Sequence, residues 1–259
     1  MLPREDLLKR ADDREVIARV IDLAEQAIKT WEVSTSDFLS PPELIDIQTC
    51  FQGLADVISL SWGGYPQAER QRLAFARSEL PLVTEQVEVA AISISGNFLF
   101  DSATHRDFLG SLLGTGLVRD KVGDIIVLGE RGAQAIVMPD IVPFLETSLT
   151  QVRSVPVQVR PIGLDELKIR EPKKKEMTTV EASMRLDAIA SAGFGMSRSK
   201  MTDLINRGDV RVNWKPITTP SHALQTGDLV AIRGKGRLTI GAIAITKKQR
   251  YRIQLTRMV

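Results

Sequence analysis

Four cations and one hydroxyl in the C-terminal third of the chain have the types and spacing expected of a phosphate-binding surface. They are Arg185, Ser197, Arg198, Lys200 and Arg207. Arginine presents a planar fork of N–H donors that can bind two phosphate oxygens at once, and lysine supplies a compact positive charge. We therefore predict that these residues contact the backbone of a nucleic acid.

A second basic group lies in the segment R-G-K-G-R, residues 233–237. Its glycines allow a close approach to a ligand, while the like charges of Arg233, Lys235 and Arg237 repel one another unless an anion is near. We interpret this segment as a phosphate clamp, and we add Lys215 to the predicted contacts. The alternative is a flexible hairpin turn whose charges are solvated.

The formal net charge of +2 hides a strong asymmetry. Residues 1–172 carry 17 Lys and Arg against 26 Asp and Glu, which gives −9, whereas residues 173–259 carry 17 against 6, which gives +11. Lys and Arg gain affinity for phosphates by displacing counterions, so binding should weaken steeply as the salt concentration rises. The alternative is a basic surface that only keeps the chain in solution.

Two short amphipathic helices are predicted to carry the first basic group. Apolar residues recur at helical spacing in residues 186–190 and 201–205, in a first helix that begins at Ser183 and a second that Ser197 caps. Gly208 ends the second helix in a left-handed conformation, and a small sheet follows. The cations then project from the polar side of both helices.

Arg198 follows the cap and lies off the apolar face of its helix. We therefore predict that it contacts phosphate and does not contribute to packing. Its replacement by Ala should weaken RNA binding by about 1 to 3 kcal/mol, the range of charge-assisted hydrogen bonds, and barely change the melting temperature.

The chain as a whole is predicted to be α+β. Its first part, residues 1–82, reads as a mixed α/β region that begins with one long helix from Glu5 to about Thr30. Another helix follows Pro41-Pro42, a strand lies near residues 55–61, and a charged helix covers about residues 67–78. This region is interpreted as a scaffold.

Residues 83–160 follow the order β-α-β-β-α-β, a ferredoxin-like arrangement that RNA-recognition domains also use. Those domains stack bases on aromatic side chains of the central strands, but S-I-S-G (93–96) and A-Q-A-I-V-M (133–138) contain none, so we expect no base stacking here. A protein-binding or a purely structural unit fits equally well. Residues 161–178 are predicted to be a linker, and residues 179–259 form the C-terminal domain.

Membrane, export and metal functions are not expected. The chain has no run of 18 apolar residues, and its charged start is unlike a signal peptide, so a cytoplasmic location is predicted. Cys50, His105 and His222 are too few for a disulfide or a zinc site. We therefore predict no metal and no cofactor.

Two further motifs contain reactive residue types without catalytic geometry. D-S-A-T-H (101–105) lacks the glycine-flanked turn of a nucleophile and fits a capped helix start. G-T-G (114–116) has Arg119 where a dinucleotide site needs a third glycine, so these glycines more simply end a helix. Arg119 and Lys121 are then either exposed secondary contacts or solvated charges. We predict a binding factor and no catalytic residues.

Four motifs in the C-terminal region resemble the S4 RNA-binding domain, named for a ribosomal small-subunit protein. They are R-L-D (185–187), S-R-S-K (197–200), L-I-N-R-G-D-V-R-V-N (204–213) and T-G-D-L-V (226–230). The resemblance implies that the first basic group is presented to structured RNA. Many S4 domains have Asn-Gly after the first strand, whereas this chain has Asn213-Trp214, so we expect a different loop there.

V-N-W-K, R-G-K-G-R and the segment at residues 109–127 are similar to the YlmH-like branch of S4 proteins, and the similarity covers most of the chain from about residue 50. It implies an RNA-binding factor whose relatives are associated with the large ribosomal subunit. In photosynthetic lineages, similar proteins bear a name that links them to photosystem II. Two hypotheses stay open: a factor that docks rRNA or tRNA, with no DNA expected, or an assembly factor for a protein complex such as photosystem II, with RNA binding secondary.

Overall fold

The computed structural model describes residues 2–169 and 173–258. The chain forms two compact units, Met1–Ile169 and Arg170–Val259, which we call the acidic unit and the basic unit after their net charges. Both units combine helices with antiparallel sheets, so the predicted α+β class is confirmed. In the described residues, no helix is both long enough and apolar enough to cross a membrane.

The acidic unit begins with three helices and a three-stranded sheet. They are α1 (Arg4–Arg10), α2 (Arg14–Thr30), β1 (Ser34–Thr35), α3 (Pro41–Phe51), β2 (Val57–Trp62) and β3 (Arg72–Arg77), with strand order β1-β3-β2. The predicted single helix from Glu5 to Thr30 is wrong, because Asp13 caps a new helix. Its side chain accepts hydrogen bonds from the backbone N–H groups of Glu15 and Val16 (3.1 and 3.2 Å).

The charged helix predicted at about residues 67–78 is also wrong, because that segment contains the central strand β3. Residues 72–76 of this strand are all buried. The misleading charge is Arg72, whose side chain lies inside the fold and donates from Nε to the Ser36 carbonyl (2.7 Å) and from Nη1 to the Glu88 carbonyl. The spacing of polar and apolar residues in the sequence does not reveal a buried arginine whose donors bind backbone carbonyls.

The second half of the acidic unit has the predicted βαββαβ order with one added hairpin. Its elements are β4 (Ala90–Ser95), α4 (His105–Gly114), β5 (Val122–Val127), β6 (Gly132–Val137), α5 (Val142–Ser148), the hairpin β7 (Gln151–Val152) and β8 (Val155–Pro156), and β9 (Gln158–Ile162). The strand order is β5-β6-β4-β9, with every neighbouring pair antiparallel. Helices α4 and α5 pack against the same core.

The central strand β6 is buried along its whole length. On the face away from the helices, the Gln134 amide donates to the Glu166 carbonyl (2.9 Å) and accepts from the Lys168 N–H (2.7 Å). Chain segments of the same unit therefore occupy the part of the sheet that RNA-recognition domains use for stacking. This packing agrees with the expectation that no base stacks there.

The basic unit has two helices on one side of a six-stranded sheet. Its elements are β10 (Lys174–Glu181), α6 (Leu186–Phe194), α7 (Arg198–Asn206), β11 (Val210–Val212), β12 (Lys215–Pro216), β13 (Leu229–Ile232), β14 (Gly236–Ile245) and β15 (Tyr251–Met258), with strand order β10-β15-β14-β13-β11-β12. The predicted linker at residues 161–178 differs from the structure, since β9 reaches Ile162 and β10 begins at Lys174. As an edge strand, β10 is largely exposed and shows little apolar alternation.

Candidate nucleic-acid interface

Backbone hydrogen bonds fix the start of α6. The Leu186 N–H donates to the His222 carbonyl (2.8 Å), and Arg185 pairs with Ala223 in an isolated antiparallel bridge. These contacts hold the preceding residues extended, so α6 begins at Leu186 and not at the predicted Ser183. Arg185 therefore stands immediately before the first turn.

The predicted cap and stop of α7 are confirmed. The Ser197 Oγ accepts from the backbone N–H of Lys200 (3.3 Å), and Gly208 has a φ of 76°, in the left-handed region. Ser197 thus already uses its hydroxyl within the helix. The Lys200 side chain lies on the exposed surface of α7, with no polar contact to any residue of the described chain.

A buried carboxylate holds two of the predicted contact residues side by side. Arg185 donates from Nε and Nη2 to Asp187 (3.0 and 2.9 Å), and Arg198 donates from the same two nitrogens to the same carboxylate (both 3.1 Å). The Asp187 side chain is 5% exposed, whereas those of Arg185 and Arg198 are 40% and 56% exposed. Within the described chain neither Nη1 group has a partner, so this arginine pair can still donate to a phosphate.

Two opposing effects set the pKa of Asp187. Burial would raise it, but the hydrogen bonds from Arg185 and Arg198 outweigh burial, and the pKa lies below the ordinary value of aspartate. The Ala188 N–H also donates to this carboxylate (2.9 Å), in the first turn of α6, where a negative charge is favoured. Asp187 is therefore ionised at neutral pH, and the three side chains together keep a positive charge.

The structural part of the Arg198 prediction is wrong. Arg198 does contribute to the fold, because its guanidinium makes a two-armed ion pair with a buried carboxylate. The role of Asp187 in orienting both guanidiniums was not predicted from the sequence. Its signal in the sequence is the R-L-D motif, an acid beside an arginine in a region of few acids.

Arg207 follows the last residue of α7 and pairs with Asp209, with Nε 3.2 Å from the carboxylate. Both side chains are more than half exposed, at 65% and 51%. Such a surface pair contributes little to stability and is easily exchanged for another anion. Arg207 can thus turn to a phosphate at small cost.

The R-G-K-G-R segment forms a hairpin turn between β13 and β14. Ile232 pairs with Gly236, and Gly234 and Gly236 have φ values of 73° and 89°. The three cations take different places in the hairpin: Arg233 directly follows β13, Lys235 lies in the turn, and Arg237 lies within β14 with its guanidinium 4.9 Å from the ring centre of Trp214. The backbone of residues 233–237 is thus the hairpin turn that the sequence analysis gave as the alternative. That its cations contact phosphate stays a prediction.

The turn after β11 corrects the loop prediction. Val212 pairs with Lys215, so Asn213 and Trp214 form a tight two-residue turn with φ values of 48° and 69°, as a primed turn requires. Asn213 stands in for the missing glycine: its Oδ1 accepts from the Leu229 N–H (2.9 Å), and its Nδ2 donates to Asp228 (2.8 Å). The T-G-D motif thus helps to hold the turn.

Arg257 connects the two basic groups and was missed in the sequence. One arm of its guanidinium donates to the Phe194 carbonyl at the end of α6 (3.1 Å), and another donates to the Lys235 carbonyl in the turn (3.2 Å). The same guanidinium lies 5.3 Å from the Phe194 ring centre. The 233–237 turn is therefore fixed beside the connection between α6 and α7.

The secondary contacts predicted in the acidic unit differ from the structure. Arg119 is partly buried and donates from Nη1 to the carbonyls of Val122 and Gly123. Burial, with some repulsion from Arg70, lowers its pKa to about 10, which leaves it charged at neutral pH. Lys121 pairs with Asp37 (2.8 Å). Both cations are thus engaged inside the unit.

The structure locates the metal-binding residue types and the single cysteine. Across residues 2–169 and 173–258, no three His, Cys, Asp or Glu side chains are placed to hold a metal ion. Cys50 is buried, and burial followed by the charge of Asp46 raises the pKa of its thiol, which disfavours the thiolate.

Known protein families match both the acidic and the basic unit. Family models match residues 12–80 (YlmH, N-terminal), 83–166 (putative RNA-binding domain in YlmH) and 184–230 (S4 domain). A solved structure, cell division protein ylmH from Streptococcus pneumoniae, superposes with a TM-score of 0.51 and 17% identity over 61% of this chain and 95% of that one. This structural likeness concerns the fold alone.

Two known sequences are similar at higher identity. Small ribosomal subunit protein uS4 from Thermosipho africanus (strain TCF52B) is 36% identical over 64 residues, which are 24% of this chain and 31% of that protein. Ribosome-associated protein quality control protein P2 from Bacillus subtilis (strain 168) is 33% identical over 249 residues, which are 96% of both chains. With these matches along nearly its whole length, the chain belongs to the YlmH family of S4-domain proteins.

Proposed function

We propose that this protein is a non-catalytic, ribosome-associated factor that docks structured RNA, either rRNA or tRNA, through its basic unit. The docking surface is the helix face, which we define as Arg185, Ser197, Arg198, Lys200 and Arg207. The observation that carries the proposal is the arginine pair on Asp187. A carboxylate that is 5% exposed orients two half-exposed guanidiniums whose Nη1 groups stay available.

This arrangement reduces the cost of binding. A long arginine side chain loses rotamer freedom when it contacts a phosphate, and Asp187 has already ordered both side chains before RNA arrives. The net charge of +11 on residues 173–259 adds attraction over a longer range. For about five neutralised phosphates, the logarithm of the affinity should change against the logarithm of salt with a slope of roughly −3.5 to −4.5.

Ribosome association is proposed because of the proteins to which this chain is similar. The Bacillus subtilis protein is named for ribosome association, and uS4 is a ribosomal protein. The large ribosomal subunit is the first partner to test, since the sequence resemblance implies it. A cytoplasmic location and an absence of DNA binding belong to the same proposal.

The test is sedimentation of the full-length protein with ribosomal subunits at several salt concentrations. The test variant combines Lys200→Gln with Arg207→Gln, two exposed cations whose loss leaves the arginine pair intact. A matched control combines Lys247→Gln with Lys248→Gln, which removes equal charge from an exposed turn of the same unit. We expect the test variant to reduce the salt slope by about two and the control variant to leave it nearly unchanged.

Two outcomes would overturn the proposal. Absence of co-sedimentation at low salt would favour the alternative of an assembly factor for a protein complex, photosystem II among the candidates. An equal loss in both variants would show that net charge acts without a defined helix face.

A further inference from the structure

The six-stranded sheet of the basic unit has a second face, opposite to α6 and α7. Val210, Val212, Ile232 and Leu238 are buried in the core beneath the helices, so the residues that alternate with them lie on the other face. The pairing register aligns one such row across five strands: Arg211, Ala231, Arg237, Met258 and Lys174. Three of these five residues are cations.

Trp214 lies beside this row, next to Arg237. It is partly buried, and the guanidinium of Arg237 lies 4.9 Å from its ring centre. The ring, Arg211, Arg233 and Arg237 line one open hollow of about 440 Å³, with a single carboxylate, Asp209, at its edge. An aromatic ring surrounded by cations thus lies outside the helix face.

The backbone of Trp214 is unusual for a tryptophan. A φ of 69° in the second position of a tight primed turn is the conformation that glycine adopts most easily. Asn213 is held in its own left-handed conformation by hydrogen bonds to Leu229 and Asp228, whereas Trp214 has no such bond to any residue that the structure describes. Bulky residues in such an unfavourable backbone conformation cluster at functional sites.

We infer that Trp214 and Arg237 form a stacking platform for an unpaired nucleotide of the bound RNA, with Arg211 and Arg233 placed to bind the adjoining phosphates. The inference rests on the proposed function and deepens it, because it adds a base-stacking site to a unit that is proposed to bind phosphates. Aromatic rings flanked by arginine bind the faces of bases with little sequence preference. A protein ligand would have to place acidic groups beside all three arginines of the hollow.

The test uses two RNA hairpins that differ only in a single-stranded tail, which carries adenosines in one and abasic residues in the other. The full-length wild-type protein should bind the adenosine tail more tightly by roughly 5- to 150-fold, the range that one stacked base provides. Trp214→Gly should make the two affinities equal without loss of melting temperature, since glycine suits this turn position. Trp214→Phe should retain most of the preference.

A matched control exists in the acidic unit. Trp31 also has a positive φ (62°) and also lies under an arginine, with Arg77 3.9 Å from its ring centre. Trp31→Gly should leave both affinities unchanged, because Trp31 is the left-handed C-terminal cap of α2 in the acidic unit and lies outside the proposed RNA-binding unit. An effect of Trp31→Gly equal to that of Trp214→Gly would overturn the inference.

The remaining outcomes separate the two proposals. If the wild type binds both hairpins equally and Trp214→Gly changes neither affinity, the platform is refuted while docking through the helix face stands. If the wild type binds neither hairpin and also fails to co-sediment with ribosomal subunits, the proposed function fails and the platform fails with it.

Discussion

The acidic and basic units use the same guanidinium chemistry for opposite purposes. In the acidic unit, Arg70 and Arg72 donate hydrogen bonds to backbone carbonyls of distant chain segments, and Arg119 donates to the carbonyls of Val122 and Gly123 close by in the chain. In the basic unit, Arg185 and Arg198 bind a side-chain carboxylate and stay about half exposed. The number of cations in a region therefore does not define a binding surface, since the decisive property is how many donors the fold itself consumes.

The comparison also separates two meanings of net charge. The acidic unit has many carboxylates and one buried arginine, Arg72, whereas the basic unit has few carboxylates, one of which, Asp187, is buried between arginines. Asp187 reduces the charge of the basic unit and still improves the geometry of its cations. The predictions below test this division of roles by removing one side chain at a time.

The largest effect is expected from Arg72→Met in the acidic unit. The substitution leaves the carbonyls of Ser36 and Glu88 without their donor inside the fold, so the free energy of unfolding should fall by about 2 to 4 kcal/mol. RNA affinity of the folded variant should be unchanged. Urea unfolding and a binding titration at one salt concentration measure both quantities, and a weakened RNA affinity with intact stability would contradict the comparison.

The second-largest effect is expected from Asp187→Asn in the basic unit. The variant loses the charge that both guanidiniums share, so the free energy of unfolding should fall by about 1 to 3 kcal/mol. RNA affinity should also fall, although the variant is more positive, because Arg185 and Arg198 are no longer oriented. A rise in affinity would show that charge matters more than position.

The pH dependence of stability is the control for this variant. Because the folded pKa of Asp187 lies below its unfolded value of about 3.9, its stabilisation is fully present above that value and is lost as the pH falls through the folded pKa. The wild type should therefore lose this contribution below about pH 4, whereas Asp187→Asn should lack it at every pH. Parallel acid-unfolding curves for the two proteins would assign the stability loss to another cause.

Local signals in the sequence were sufficient for much of this molecule. The βαββαβ order, the Ser197 cap and the left-handed Gly208 follow from periodicity and from residues that act on their immediate neighbours. The fixed spacing of the S4 motifs was likewise sufficient for the family. Each of these features depends on contacts within a few residues of the chain.

The errors arise where distant residues meet. Arg72 is paired with carbonyls from other segments, which reverses the meaning of its charge, and β10 owes its strand to β15 near the other end of the unit. The Asn213-Trp214 turn depends on Asp228, and the orientation of Arg198 depends on Asp187. A pattern of residue types contains no information on such pairings, so these features became visible only in the fold.

The smallest effect is expected from Arg257→Met, which tests the comparison inside the basic unit. Like Arg70 and Arg72 of the acidic unit, Arg257 donates hydrogen bonds to backbone carbonyls, here those of Phe194 and Lys235. Its Nε is buried without a hydrogen bond, so methionine removes one unsatisfied polar atom while it leaves two carbonyls without their donor. These contributions oppose each other, and the free energy of unfolding should fall by only about 1 kcal/mol.

RNA binding separates this role of Arg257 from a direct contact. If Arg257 only fixes the 233–237 turn beside α6, the affinity of the Arg257→Met variant should fall slightly while the salt slope stays that of the wild type, because no phosphate contact has been removed. A slope reduced by about one would instead show that Arg257 itself binds a phosphate. In that case the division between structural and binding arginines would fail within the basic unit.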